Sequence, residues 1–213
     1  MKKKAYFVVV SLLIGVFCLA DLTLSQEHRL NFDNEKAGGQ ASGLLPHLGN
    51  WEIRRDATAP SKPNIYAQTS TKSIEDYFPL AFVPNLAYRD FVATVKIKPI
   101  SGEMDQSGGI VFRANGSDNY YVLRIEALRG SMAVYKTVRG KRSMIVWAKA
   151  DIKSNHWQAL RVEVKGDKIE GFVDGQRVLT LYDSTFLDEG SIGIWTKSDA
   201  VTYFDDLTIS KAD

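Results

Sequence analysis

Apolar and polar residues alternate with a period of two through most of the chain beyond residue 28, and no stretch sustains the 3.6-residue spacing of a long helix. Turn residues interrupt the alternation every ten residues or so, which predicts an all-β sandwich of at least ten short strands. In the block around residues 90–98, Phe91, Ala93, Val95 and Ile97 point one way while Thr94, Lys96 and Lys98 point the other, and Pro99 closes the strand. The same parity sends Ile110, Phe112, Tyr121, Leu123 and Ile125 inward. It leaves Val111, Arg113, Tyr120, Val122, Arg124 and Glu126 outside. Hairpins are predicted at Arg139-Gly140-Lys141, Gly166-Asp167 and Asp174-Gly175, the last a strong type I′ signal because it separates two apolar segments. Trp51 and Trp157 sit at strand starts beside apolar neighbours and are assigned to the core; Trp147 stays undecided. One short helical turn is expected near Ser73.

The first residues differ in kind. Lys2, Lys3 and Lys4 precede an apolar run from Ala5 to Leu19, which is too short for a membrane span and matches a secretory signal peptide over residues 1–25, with cleavage after Ala20 or Ser25. Residues 26–213 then form a single domain. Cys18 falls in the leader and follows bulky Phe17, which argues against lipidation, and the mature chain has no cysteine for a disulfide. An extracytoplasmic address, periplasmic or secreted, follows. With cleavage after Ala20 the three leader lysines are lost and 24 basic residues face 25 acidic ones, so nothing electrostatic favours nucleic acid, and no membrane contact beyond the leader is expected. His28, His47 and His156 lack the spacing of a zinc or iron site.

Residues from about 29 to 210 resemble the 3-keto-disaccharide hydrolase family, an antiparallel jelly roll of the concanavalin A-like lectin/glucanase type, also described as laminin-G-like. The resemblance is carried by LGNWEI, DFVATVKIKPISGEMDQSGGIVFR, NYYVLRIEAL, NHWQALRVEV, GFVDGQRV and GSIGIWTKSDAVTYFDDLTI. It implies a concave face that handles carbohydrate. Well-known glycosidases of this architecture place Glu-x-Asp-x-x-Glu on one strand; here Glu103-Met104-Asp105 starts similarly, but Gly108 and Gly109 stand where the second glutamate belongs. Those paired-carboxylate roles are therefore not carried over.

Candidate chemistry concentrates between Asp105 and Lys197. Asp105 or Glu126 is a candidate acid/base; Gln106, Arg113, Tyr120, Arg124, Trp195 and Lys197 are candidate sugar contacts, since aromatic rings stack on pyranoses and guanidinium forks bond hydroxyls or carboxylates. No cofactor is expected; Asp33 and Asp206, near the two chain ends, are candidate ligands should a structural calcium be held there. Three function classes stay open: a glycan-binding module, an enzyme on a glycoside or 3-keto-glycoside that needs one base and an oxyanion stabiliser, and a non-catalytic laminin-G-like interaction module.

Overall fold

The computed structural model describes residues 27–212; the leader expected over 1–25 lies outside the described residues. In chain order the strands are β1 (His28–Leu30), β2 (Leu45–Leu48), β3 (Trp51–Arg55), β4 (Asn64–Gln68), β5 (Leu80–Tyr88), β6 (Phe91–Ser101), β7 (Ser107–Ala114), β8 (Tyr120–Glu126), β9 (Ser131–Val138), β10 (Lys141–Lys149), β11 (Gln158–Lys165), β12 (Lys168–Val173), β13 (Gln176–Tyr182), β14 (Gly190–Trp195) and β15 (Val201–Lys211). They form two antiparallel sheets. The first runs β13-β12-β11-β6-β15-β4-β3 with β1 added on β15, and the second runs β10-β9-β8-β7-β14-β5-β2. The result is an all-β jelly-roll sandwich.

Alternation builds the core. Phe91, Ala93, Val95 and Ile97 meet Ile110, Phe112, Tyr121, Leu123 and Ile125 between the sheets, all fully buried. Removing each such large apolar side chain from water contributes about 1.5–3 kcal/mol. Two-residue turns with positive φ at Arg139-Gly140 and Asp174-Gly175 connect β9 to β10 and β12 to β13, the I′ geometry that matches strand twist.

Three local expectations change. Pro99 does not close β6, which continues to Ser101; a register shift between Val201 and Thr202 accommodates the proline within the ladder. The segment near Ser73 turns at Glu75-Asp76 without forming a helix. Trp51 packs in the core against Tyr66 and Phe204, but Trp157 lies on the outer face of the first sheet with Ile65, Ala67 and Tyr203.

The two sheets differ on their outer faces. Burial alternates strictly along β6, β11 and β12, as expected for an outer face wetted by solvent. Every residue of β7 and β8 is buried, so the outward positions of the second sheet are sequestered as well. Those positions include charged side chains.

Candidate functional site

Register assembles the outer face of the second sheet. Gly109 on β7 stands opposite Arg124 of β8 on one side and Trp195 of β14 on the other. Arg124 in turn stands opposite Ala133 of β9, Val122 opposite Tyr135, and Glu126 opposite Ser131. Gly109 keeps β7 flat against its neighbours: a Cβ there would sit 2.6 Å from the Leu123 carbonyl oxygen and 3.2 Å from the Arg124 Cα. Around Trp195, the residues Leu80, Val111, Ala114, Tyr120 and Val122 form a second apolar cluster, separate from the main core.

Two guanidinium groups converge on Tyr135. Arg124 Nη2 donates to the Tyr135 hydroxyl at 3.2 Å, and the Arg142 guanidinium carbon lies 3.5 Å from the Tyr135 ring centroid. Arg142 also lies 5.2 Å from the Phe78 ring and 5.1 Å from Trp195, which stack on each other at 5.8 Å. Burial raises the Tyr135 phenol, but the hydrogen bond and charge of Arg124 outweigh it and hold the group below its ordinary value. Burial pulls Arg142 below the usual guanidinium value.

Asp105 is set at the rim by another carboxylate. The side chain of Asp199 accepts backbone N–H bonds from Glu103 at 2.7 Å, Met104 at 3.1 Å and Asp105 at 3.0 Å, which fixes the turn before β7. Burial opposes the Asp199 charge, yet these amides keep its pKa below the ordinary value. Asp105 itself is 1% exposed and its Oδ1 has no hydrogen-bond partner. Burial raises its pKa, against a lowering by Arg124, while Glu126 adds to the rise.

Orphaned polar atoms collect here. Arg124 is 5% exposed with Nε and Nη1 unbonded; Nε and Nη2 of Arg142 and Nε1 of Trp195 are unbonded as well. Buried polar atoms almost always have partners, so such a concentration on one face marks where a polar ligand belongs.

The residues singled out from sequence divide between this face and elsewhere. Arg124, Glu126, Tyr120 and Trp195 share it, and Lys197 reaches its rim, ion-paired with Glu75. Both Glu126 oxygens are committed to the following turn, accepting from Leu128 N at 2.7 Å and Arg129 N at 3.2 Å. Gln106 is spent on structure: its amide donates to the Gly102 carbonyl and its side-chain oxygen accepts from Ser154.

Arg113 lies apart from the site. It adopts φ 46°, which breaks the alternation and swings its side chain to the end of the sandwich. There Nε donates to Arg89 O at 2.9 Å, Nη1 to Phe186 O at 2.8 Å, and Nη2 to Gly166 O at 2.6 Å and Asp90 Oδ1 at 3.3 Å. Of the two candidate calcium ligands, Asp206 pairs with Arg29 at 3.3 Å and the buried Oδ1 of Asp33 has no hydrogen-bond partner; among the described residues no group of three or more His, Cys, Asp or Glu could hold a metal ion.

Sequence reasoning missed Tyr135, Arg142, Phe78 and Asp199. Tyr135 was within reach, because it shares the outward parity of SMAVYKTV. Arg142 was not: on β10 it stands opposite Thr137, and only the packing of Phe78, Tyr135 and Trp195 from other segments brings aromatic rings to its guanidinium. Trp147, undecided from sequence, stands opposite Ala133 on this same face and is 51% exposed.

Comparison with known proteins agrees with this architecture. Residues 48–210 match the 3-keto-alpha-glucoside-1,2-lyase-like domain. Among solved structures, the chain is similar to the carbohydrate binding module CBM66 from Bacillus subtilis (TM-score 0.66, 22% identity, 79% of this chain and 96% of that one). It is also similar to the Bacillus licheniformis beta-glucanase (TM-score 0.58, 12% identity, 89% and 100%) and to a Bacillus subtilis protein of unknown function with a galectin-like fold (TM-score 0.58, 10% identity, 86% and 98%). At these identities the likeness establishes the fold. No curated protein matches the chain.

Proposed function

The chain belongs to the 3-keto-alpha-glucoside-1,2-lyase-like domain family, and from that premise we propose that it is an extracytoplasmic protein that binds a glycoside on the outer face of the second sheet and cleaves its 3-keto form. The observation that carries this reading is the meeting of one buried, partner-free carboxylate oxygen on Asp105 with the partner-free donors of Arg124 on a sequestered face. Elimination across C1 and C2 of a 3-keto sugar needs one base and a group that holds an oxyanion, not two flanking acids.

The Asp105 carboxylate takes the proton from C2, which the neighbouring ketone acidifies. The C–H electron pair forms the C2–C3 double bond and the carbonyl pair moves onto oxygen, where Arg124 and the Tyr135 hydroxyl hold the enolate. Collapse of the enolate re-forms the carbonyl, makes the C1–C2 double bond and expels the C1 oxygen. Asp105 returns its proton to that oxygen, releasing an alcohol and a 2-hydroxy enone. The Glu126 carboxylate, whose two oxygens accept backbone N–H bonds, adds to the rise of the Asp105 pKa and so favours its proton uptake. Trp147, half exposed on this face, offers a flat apolar surface to a sugar ring, while the fully buried Trp195 supports Arg142 from below.

The test is release of nitrophenol from a nitrophenyl 3-keto-α-glucoside. Asp105→Asn is expected to slow it by about 10²–10⁴-fold, the usual worth of a general acid–base group, with binding of the unoxidised glucoside retained. In the wild type the rate rises with pH as Asp105 ionises, at a midpoint above the ordinary carboxylate value because burial raises it. An unchanged rate in the variant removes Asp105 from the chemistry. Binding with no cleavage by wild type replaces the lyase with a glycan-binding module.

A further inference from the structure

The face carries more positive charge than its own residues neutralise. Lys197 is matched by Glu75, and Glu126 by Arg129 and two backbone amides. Neither Arg124 nor Arg142 has a carboxylate within ion-pair distance among the described residues. Asp105 acts on both of them and Glu75 on Arg142 from a distance, but the burial that raises the Asp105 pKa reduces its share of that compensation. Four guanidinium nitrogens, two from each arginine, are buried and bond nothing, although a buried charge normally finds a partner.

One enolate oxyanion does not account for two cations. In the reaction proposed above, Arg124 and the hydroxyl it holds serve the transient charge; Arg142, fixed over Tyr135 with two free donors, is in surplus. Guanidinium groups pair with planar carboxylates or with tetrahedral oxyanions through two parallel N–H bonds, a geometry neutral sugar hydroxyls do not reproduce.

Resting on the proposed sugar site, we infer that Arg142 recognises a fixed oxyanion on the ligand, so that the preferred glycoside is an acidic one bearing a carboxylate or a sulfate. Arg142 is then a specificity-determining residue, and the aromatic rings that stack beneath it hold its guanidinium plane in place.

The experiment titrates the protein calorimetrically with methyl glucoside, methyl glucuronide and methyl glucoside 6-sulfate at low and high ionic strength. The acidic ligands are expected to bind at least about tenfold more tightly than methyl glucoside, with an advantage that shrinks as salt rises. Glucuronide ahead of sulfate identifies a carboxylate ligand, and the reverse order a sulfated one. Arg142→Gln abolishes the advantage, and Arg142→Lys keeps part of it. Equal or weaker binding of both acidic sugars by the wild type overturns the inference, whatever the variants do. If acidic sugars are preferred but no 3-keto-glycoside is cleaved, the inference stands and the lyase reading falls. If neutral 3-keto-glucosides are cleaved with no acidic preference, the lyase stands and the inference falls.

Discussion

Arg113 and Arg124 are two buried arginines on adjacent strands of one sheet, and they live in opposite circumstances. Arg113 spends all three of its nitrogens on the Arg89, Phe186 and Gly166 carbonyls and on Asp90. Arg89 and Asp90 form the connection from β5 of the second sheet to β6 of the first, and Gly166 turns β11 into β12 of the first, so this side chain ties the ends of the two sheets together. Arg124 has a single hydrogen bond, to Tyr135, and leaves two nitrogens idle. A guanidinium fully engaged with the protein stabilises the fold; one left half-engaged in a dry place is held ready for something that arrives from outside. Burial alone does not separate the two. The count of satisfied donors does.

Arg113→Ala tests the structural side of this contrast and carries the largest expected effect on stability. It strands the Arg89, Phe186 and Gly166 carbonyls in a buried place, a loss of about 2–3 kcal/mol; the partly exposed Asp90 keeps its bond from Gly166 N and adds little. A urea unfolding titration measures it, and a loss below about 1 kcal/mol would erase the distinction. Arg124→Met tests the other side. Removing a buried charge whose donors are mostly unused is expected to change stability by less than about 1 kcal/mol, or to raise it, while glycoside binding is lost. The same titration showing a drop comparable to Arg113→Ala would make Arg124 a second structural staple.

The smallest expected effect concerns a carboxylate that has partners and still resists ionisation. Asp205 accepts from Ser61 N, Ser61 Oγ and Asp206 N, but burial outweighs these bonds and pushes its pKa up to about 6. A folded-state value above the unfolded value near 3.9 means the folded protein holds this proton more tightly. Its contribution is complete below about pH 4 and disappears as pH rises through about 6. The stability difference between wild type and Asp205→Asn should therefore move in favour of the variant across that window and level off above it. A difference that does not vary with pH would show that satisfied hydrogen bonds do cancel the desolvation, for acids at least.

The legible part of the site followed strand parity. Tyr120, Arg124 and Glu126 were placed outward from YYVLRIE alone, because within a regular strand side-chain direction is set by the backbone two residues at a time. Arg113 fits the same spacing in the sequence and departs from it in three dimensions, because its own left-handed backbone takes it out of the strand's alternation. Glu126 and Asp105 were indistinguishable as candidate bases in the linear chain. They separate only when the Leu128 and Arg129 amides take the Glu126 oxygens and Asp199, 94 residues away, fixes the Asp105 turn.

What the chain determined by itself was the two-layer sandwich, its inward-facing apolar set and the tight turns at Arg139-Gly140 and Asp174-Gly175. These rest on local periodicity and backbone sterics that neighbouring residues impose on one another. Only tertiary structure decided that the outward positions of β7 and β8 are buried while those of β6, β11 and β12 stay partly exposed, that Arg142 reaches Tyr135, Phe78 and Trp195, and which charges go unmatched. Each of those depends on distant strands delivering partners or failing to, and no period in the sequence records whether a donor finds an acceptor.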